Sequence, residues 1–243
     1  MPTTTFPERL TAGYCSFLQN RLIAQHDRYR ELAEQGQNPD TLVIGCCDSR
    51  AMPEIIFDAG PGEVFVIRNV AAQVPPFAPD DRYHGTSAAL EFAVQALRVR
   101  NIVVLGHARC GGVNAYLRRN SSEPLSPGDF IGKWITLIEP AYRRLQCTAV
   151  PEGVDEQQAL EWANVTQALE NLRTFPCVKI LEQRGKLKLH GAWFDIASAA
   201  LHVLEEETGT FHQVLKDLHH TMTKGQIPVP DAALDTLNPV PDC

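Results

Sequence analysis

The sequence predicts an α/β fold: a mostly parallel central sheet flanked by helices, with an N-terminal helical arm and a C-terminal extension. Three observations carry this. Residues 41–46, 64–67, 102–105 and 187–196 form short apolar runs, three of them dense in β-branched residues, as strands buried on both faces are. Helix-periodic segments at 85–97 and 159–172 lie between them, so the strands are joined by crossovers and run parallel. Two of the runs end in chemistry-bearing strings, Cys46-Cys47-Asp48-Ser49-Arg50 and His107-Ala108-Arg109-Cys110-Gly111-Gly112. These fall at strand carboxyl ends, where such sheets place their sites.

Taken in order, Leu10, Tyr14, Phe17, Leu18, Leu22, Ile23, Tyr29 and Leu32 recur at helical steps and predict an amphipathic arm, broken by Gln37-Asn38-Pro39-Asp40. Between the second and third strands, Leu90, Phe92, Ala93, Ala96 and Leu97 mark one helix face. Residues 120–129 are rich in Ser, Pro and Gly and predict a surface loop. The stretch 224–243, with Pro228, Pro230, Pro239 and Pro241, has no sustained period and predicts a tail. The expected division is an arm at 1–40, a metal-binding α/β core at 41–205 and an extension at 206–243. No repeat or low-complexity block interrupts this order.

A chain of 243 residues that is 44% hydrophobic can bury a large core. Its formal charge of −7, with Arg118-Arg119 and Arg143-Arg144 as its tight basic pairs, argues against nucleic-acid binding. No apolar run is long enough to span a bilayer, and residues 1–8 have no secretory pattern. Seven scattered cysteines, two in metal-like spacing, fit a reducing cytoplasm, with association to an organelle or bacterial microcompartment left open.

Two thiolates and an imidazole on neighbouring strand ends, Cys46, His107 and Cys110, make a three-donor zinc site with a fourth position free for water. That is the pattern of catalytic rather than structural zinc. Gly111-Gly112 opens a helix whose N-terminus adds backbone donors. Asp48 and Arg50, two apart, project to the same side and can pair beside the metal. Arg68 and Asn69 are read as support for that pair or for an interface. Strand alternation turns Cys47 away. Cys15, Cys147 and Cys177 are read as small buried hydrophobes, Trp134, Trp162 and Trp193 as packing residues, and His190 as a satisfied core histidine. His212, His219 and His220 are expected to decorate a helix face, and His84 is a loop candidate for a proton shuttle.

These residues resemble the β-class carbonic anhydrases, and the likeness extends over roughly residues 10–205. It is carried by Pro61-Gly62-Glu63-Val64-Phe65-Val66-Ile67-Arg68-Asn69-Val70-Ala71, Gly85-Thr86-Ser87-Ala88-Ala89-Leu90-Glu91-Phe92-Ala93, the His107–Gly112 string, Asn171-Leu172 and Leu189-His190-Gly191. The resemblance implies zinc-dependent, reversible hydration of carbon dioxide to bicarbonate and a proton, by attack of zinc-bound hydroxide. It implies one zinc ion per chain on Cys46, His107 and Cys110, and Asp48 with Arg50 as the catalytic dyad. It further implies a homodimer, or a tetramer, with the active site at an interface wrapped by the arm.

In the plant-like subgroup the substrate pocket would use Gln37, Phe65, Val70, Phe92 and Gly111, with Phe92 standing where a Tyr is usual. A second subgroup binds inhibitory bicarbonate through a Trp, an Arg and a Tyr. Here those places hold Val43, Arg68 and Phe194, so the plant-like, open-site subgroup is expected. The same site chemistry would also serve a carbonyl sulfide or carbon disulfide hydrolase. A non-catalytic zinc or thiol regulatory subunit and a silent scaffold subunit are the readings from other classes.

Overall fold

The computed structural model of the chain describes residues 6–119, 123–148 and 150–216. The arm comprises α1 (Glu8–Ser16), a π-helical turn (Phe17–Arg21) and α2 (Leu22–Gln35). Pro39 is buried where the chain turns into β1 (Thr41–Cys46). There follow α3 (Pro53–Ile56), β2 (Val64–Asn69), a 3₁₀ turn (Val70–Ala72), and α4 (Gly85–Glu91) continuing as a π-helical segment (Phe92–Leu97). Next come β3 (Asn101–His107), α5 (Gly111–Arg118), α6 (Phe130–Ile135) and α7 (Glu139–Leu145). The long α8 (Glu156–Leu172) and α9 (Pro176–Gln183) lead to β4 (Lys188–Asp195), β5 (Ala200–Glu205) and β6 (Thr210–Gln213).

The sheet order is β2-β1-β3-β4-β5-β6, with the first four strands parallel and the last two antiparallel. The four parallel strands are those the apolar runs predict. One face carries the main core, where Leu42, Ile44, Ile102 and Val104 meet Val165, Leu169 and Leu172 of α8 together with Leu90 and Val178. The other face holds a smaller cluster of Val43, Leu105 and Ala192, with Ile56 of α3 packed against it. A third cluster gathers Cys46, Cys110 and Val113 under Tyr116, Ile135, Ile138 and Leu160. Burial on both faces explains why β1 and β3 read as continuous apolar runs rather than alternating ones.

The sheet runs past residue 205, where the expected core ends. β6 pairs with β5 through Val203↔His212 and Leu204↔Phe211, and Phe211 stacks on Trp162 at 5.2 Å. The hydrophobic contact of that one aromatic ring holds a short strand whose other residues are polar. His212 therefore lies on a strand and not on a helix face, while His219, His220 and the proline-bearing stretch 224–243 lie outside the described residues. Cys177 is half-buried against the main core as expected. Cys15 and Cys147 are exposed instead, because α1 buries no residue and Cys147 follows the end of α7. The loop residues 123–129 carry no helix or strand, and 120–122 lie outside the described residues.

Gly106, one residue before the end of β3, lies directly beneath α8. A Cβ there would stand 2.7 Å from Val165 Cγ2 and 3.4 Å from Trp193 Cδ1. Gly106→Ala is expected to overpack this contact and destabilise the fold by about 1–3 kcal/mol, read as a lowered denaturant midpoint with unchanged slope.

Candidate metal centre

β1 and β3 pair in parallel through Gly45↔Leu105, so Cys46 at the end of one strand stands level with Gly106 and beside His107 on the other. Cys110 follows after a tight turn as the residue preceding α5. One donor atom from each of Cys46, His107 and Cys110 lies within 4.8 Å of the others, and all three residues are buried.

This donor set fits a divalent cation. His107 Nδ1–H donates to the Ala108 carbonyl at 2.9 Å; a carbonyl only accepts, so Nε2 of the neutral ring is left as a bare lone pair. Nε2 is buried and has no hydrogen-bond partner. Two sulfurs and one imidazole form a soft set suited to zinc, with room for a fourth ligand. The two thiols ionise unequally. The hydrogen bond from Cys110 draws Cys46 down into the thiolate range, while the same bond and burial push Cys110 up. A divalent cation between them would displace the remaining proton.

Asp48 lies two residues beyond Cys46. Arg50 grips it with a fork, Nε donating to Oδ1 at 2.9 Å and Nη2 to Oδ2 at 2.7 Å, and the Arg50 backbone N–H adds a third bond to Oδ1 at 2.9 Å. The Arg50 hydrogen bonds hold the Asp48 carboxyl well below the usual carboxylate range. Oδ2 stands 3.9 Å from His107 Nε2, so the carboxylate faces the space the donors enclose. Arg50 Nη2 also reaches the Arg109 carbonyl at 3.3 Å and ties the two loops together. Arg68 donates from Nε to the Cys46 carbonyl at 2.8 Å and from Nη2 to the Asp48 carbonyl at 2.7 Å, which fixes the backbone on both sides of Cys47. Asn69 braces the next loop, accepting from Gln73 N–H at 2.7 Å and donating to the Gln73 carbonyl at 2.8 Å.

Glu161 is the functional residue that sequence reasoning missed. It is 3% exposed on α8, and its Oε1 accepts the Cys110 backbone N–H at 2.9 Å and Gln157 Nε2 at 2.9 Å. Its Oε2 accepts Trp193 Nε1 at 3.1 Å, so Trp193 does more than pack. Burial raises the Glu161 pKa, and the hydrogen bonds oppose that shift. Two further residues of α8 continue the pattern. Asn164 Nδ2 donates to the Ala71 carbonyl at 3.0 Å, and Asn171 Nδ2 donates to the Val74 carbonyl at 2.7 Å.

Of the expected pocket residues, the chain brings Val70 and Gly111 to the cluster. Val70 Cγ1 would lie 2.8 Å from a Cβ on Gly112, and Gly111 opens α5 beside Cys110. The other three stand apart. Phe65 is level with Leu42, near the start of β1, and contacts Phe92 with ring centroids 5.9 Å apart. Gln37 is exposed before β1 begins. Gln37 precedes the start of β1, and the register of Phe65, with Phe92 against it, sets these residues at the other end of β1 from Cys46. His84 Nε2 lies 2.6 Å from Asp80 Oδ1 on the surface, and His190 is half-buried 3.2 Å from Asn101 Oδ1.

Comparison with known proteins points to one family. The carbonic anhydrase family model matches residues 41–201. A chloroplastic β-carbonic anhydrase of Arabidopsis thaliana is 34% identical over 186 residues, which are 75% of this chain and 59% of that protein. This chain thus spans less than two thirds of that relative's length. The solved β-carbonic anhydrase CcaA is 30% identical with a TM-score of 0.78, over 86% of this chain and 92% of CcaA. A tetrameric β-carbonic anhydrase of Sordaria macrospora is 27% identical with a TM-score of 0.60, over 85% of this chain and 92% of that one.

Replacing Glu161 by Ala strands the buried Cys110 N–H and Trp193 Nε1–H. The variant is expected to lose roughly 2–4 kcal/mol of stability by chemical denaturation. It should also bind zinc about tenfold or more weakly in a competition titration, because the ligand turn loses its brace.

Proposed function

Because this chain belongs to the β-class carbonic anhydrases, we propose that it catalyses the reversible hydration of carbon dioxide to bicarbonate at the Cys46, His107 and Cys110 cluster. The observation that carries the reading is the bare, buried His107 Nε2 between two sulfurs, faced by a carboxylate that Arg50 keeps ionised. Cys46, His107 and Cys110 would hold zinc, which when bound acts as a Lewis acid and makes water acidic enough to serve as nucleophile near neutral pH.

The chain's own groups do the rest. Asp48 presents Oδ2 as an acceptor that orients an attacking water toward the substrate carbon. The Arg50 fork prevents the carboxylate from rotating away. Because the folded Asp48 pKa lies below its unfolded value, the pair's contribution to stability is present above about pH 4 and lost only as pH falls through the folded value. Val70 supplies apolar wall beside the cluster, and the Gly111 backbone N–H at the start of α5 is a donor for the substrate oxygen. Of the three places that the bicarbonate-inhibited subgroup uses, Val43 and Phe194 lack polar groups here. Arg68, the third, already donates to two main-chain carbonyls. This supports the open-site, plant-like assignment.

The second partner is another copy of this chain. No residue of α1, the π-helical turn or α2 is buried, and Tyr14 and Ile23 are 60% and 75% exposed. A homodimer or tetramer covers that surface, and Gln37, Phe65 and the half-exposed Phe92 complete the pocket across the interface. The Sordaria relative's tetrameric state supports such assembly. Among the described residues no helix is long and apolar enough to cross a membrane. The six cysteines among the described residues form no disulfide, which supports a reducing compartment such as the cytoplasm.

Stopped-flow carbon dioxide hydration at pH 7–9, with zinc measured on the same sample, tests the activity. Rapid turnover at one zinc per chain is expected, and Asp48→Ala should lower kcat/KM by about 10²-fold while zinc is retained. Full zinc occupancy without turnover would reject the proposal. Removing residues 1–36 is expected to halve the sedimenting mass or more and to reduce kcat/KM with it. An unchanged mass would reject the role given to the arm.

A further inference from the structure

At the opposite end of the sheet from the metal centre, the starts of β3 and β4 border a cleft of about 930 Å³. Its walls carry Arg98, Arg100, Lys186 and Lys188, and its floor carries Val94, Val99 and Leu181. The two basic segments are far apart in sequence. The fold joins them, because Asn101 pairs with Lys188 and Lys188 N–H donates to the Arg100 carbonyl at 2.9 Å. Val99 and Leu187 are 2% and 1% exposed, while the cations on either side of each are exposed and line the cleft.

The charge there is not neutralised. Arg100 pairs with Asp40, the one carboxylate lining the cleft, but among the described residues no carboxylate lies within 4 Å of the charged atoms of Arg98, Lys186 or Lys188. Burial, together with the Lys188 ammonium, lowers the pKa of nearby His190. A local excess of three cations in a chain of net charge −7 is a specific feature and not a general property of the surface.

Arg98 adds a second observation. It ends the Phe92–Leu97 segment with φ 57°, the left-handed cap conformation that glycine adopts without strain. An arginine there keeps a guanidinium at the mouth of the cleft despite the backbone strain.

A cleft of this size holds a small molecule and not a nucleic-acid strand. Guanidinium and ammonium groups at the rim suit phosphate oxygens, and the apolar floor suits a ring. We propose that this cleft binds a small organic phosphate of nucleotide size, its phosphates held by Arg98, Lys186 and Lys188 and its ring laid on Val94, Val99 and Leu181. Within one chain the site is separate from the metal centre, since β3 places roughly 20 Å of strand between Asn101 and His107.

Isothermal titration of the zinc-loaded protein at low ionic strength tests this, with ADP as probe and pyrophosphate and adenosine as separate arms. ADP is expected to bind one per chain and more tightly than pyrophosphate, with adenosine alone not binding. Arg98→Gly and the double variant Lys186→Glu/Lys188→Glu should each weaken ADP at least tenfold and leave carbon dioxide hydration unchanged. Arg98→Gly relieves the left-handed strain, so its Tm should not fall, and lost binding in that variant is not unfolding. The proposal is overturned by absent saturable binding up to millimolar ADP, by binding unaltered in both variants, or by pyrophosphate binding as tightly as ADP.

Discussion

Glu161, Asn164, Gln167 and Asn171 follow one another at three- and four-residue steps along α8, and all four are buried. Their amides and carboxylate replace water for the loops at the strand ends. Glu161 takes the Cys110 N–H, Asn164 the Ala71 carbonyl and Asn171 the Val74 carbonyl, while Gln167 Nε2 donates to Asn171 Oδ1 at 2.9 Å. A buried polar group without such a partner costs about 1–3 kcal/mol, so the stripe and the loops satisfy one another or neither is stable. The apolar side of the same helix, with Val165, Leu169 and Leu172, presses on the sheet. One helix thus sets the position of the metal loop relative to the strands.

That anchoring permits backbone conformations that would not persist alone. Ala71 and Ala72 both have positive φ, and so does Arg109 between two of the metal donors. Each such residue costs about 1 kcal/mol or more. The Asn164 bond to Ala71 and the Asn69 clamp on Gln73 hold the first turn, and Arg50 reaching the Arg109 carbonyl holds the second. The arginines act similarly in a charged register. Arg68 spends its donors on backbone carbonyls, which leaves Arg50 to orient the carboxylate that faces the donor cluster.

Much of this was legible in the sequence because β-branched runs and catalytic strings announce themselves locally. The parallel strands, the arm, the Cys46, His107 and Cys110 cluster and the Asp48–Arg50 pair all follow from residues close in sequence or at strand ends. What was not legible depends on long-range placement. The polar stripe of α8 has the spacing of a solvent-facing surface, and only tertiary packing turns it inward. β6 is four residues long with a single aromatic anchor, too little for a periodic signal. Phe65 stands at its expected place and Phe92 where a Tyr is usual, yet register places Phe65, and Phe92 in contact with it, at the lower end of the sheet. The basic cleft was hidden for the same reason, since Arg100 and Lys188 meet only where β3 and β4 begin to pair.

If copies of the chain assemble through the arm as proposed, part of the secondary structure becomes conditional on mass action. α1 and α2 are 9 and 14 residues long with no buried side chain, and isolated helices of that length are marginal in water. Under the proposed assembly their helicity would rest on association, and dilution would remove both together. Far-ultraviolet ellipticity per residue would therefore fall as the protein is diluted, which makes a spectroscopic property usually taken as intrinsic to the chain a gauge of its assembly.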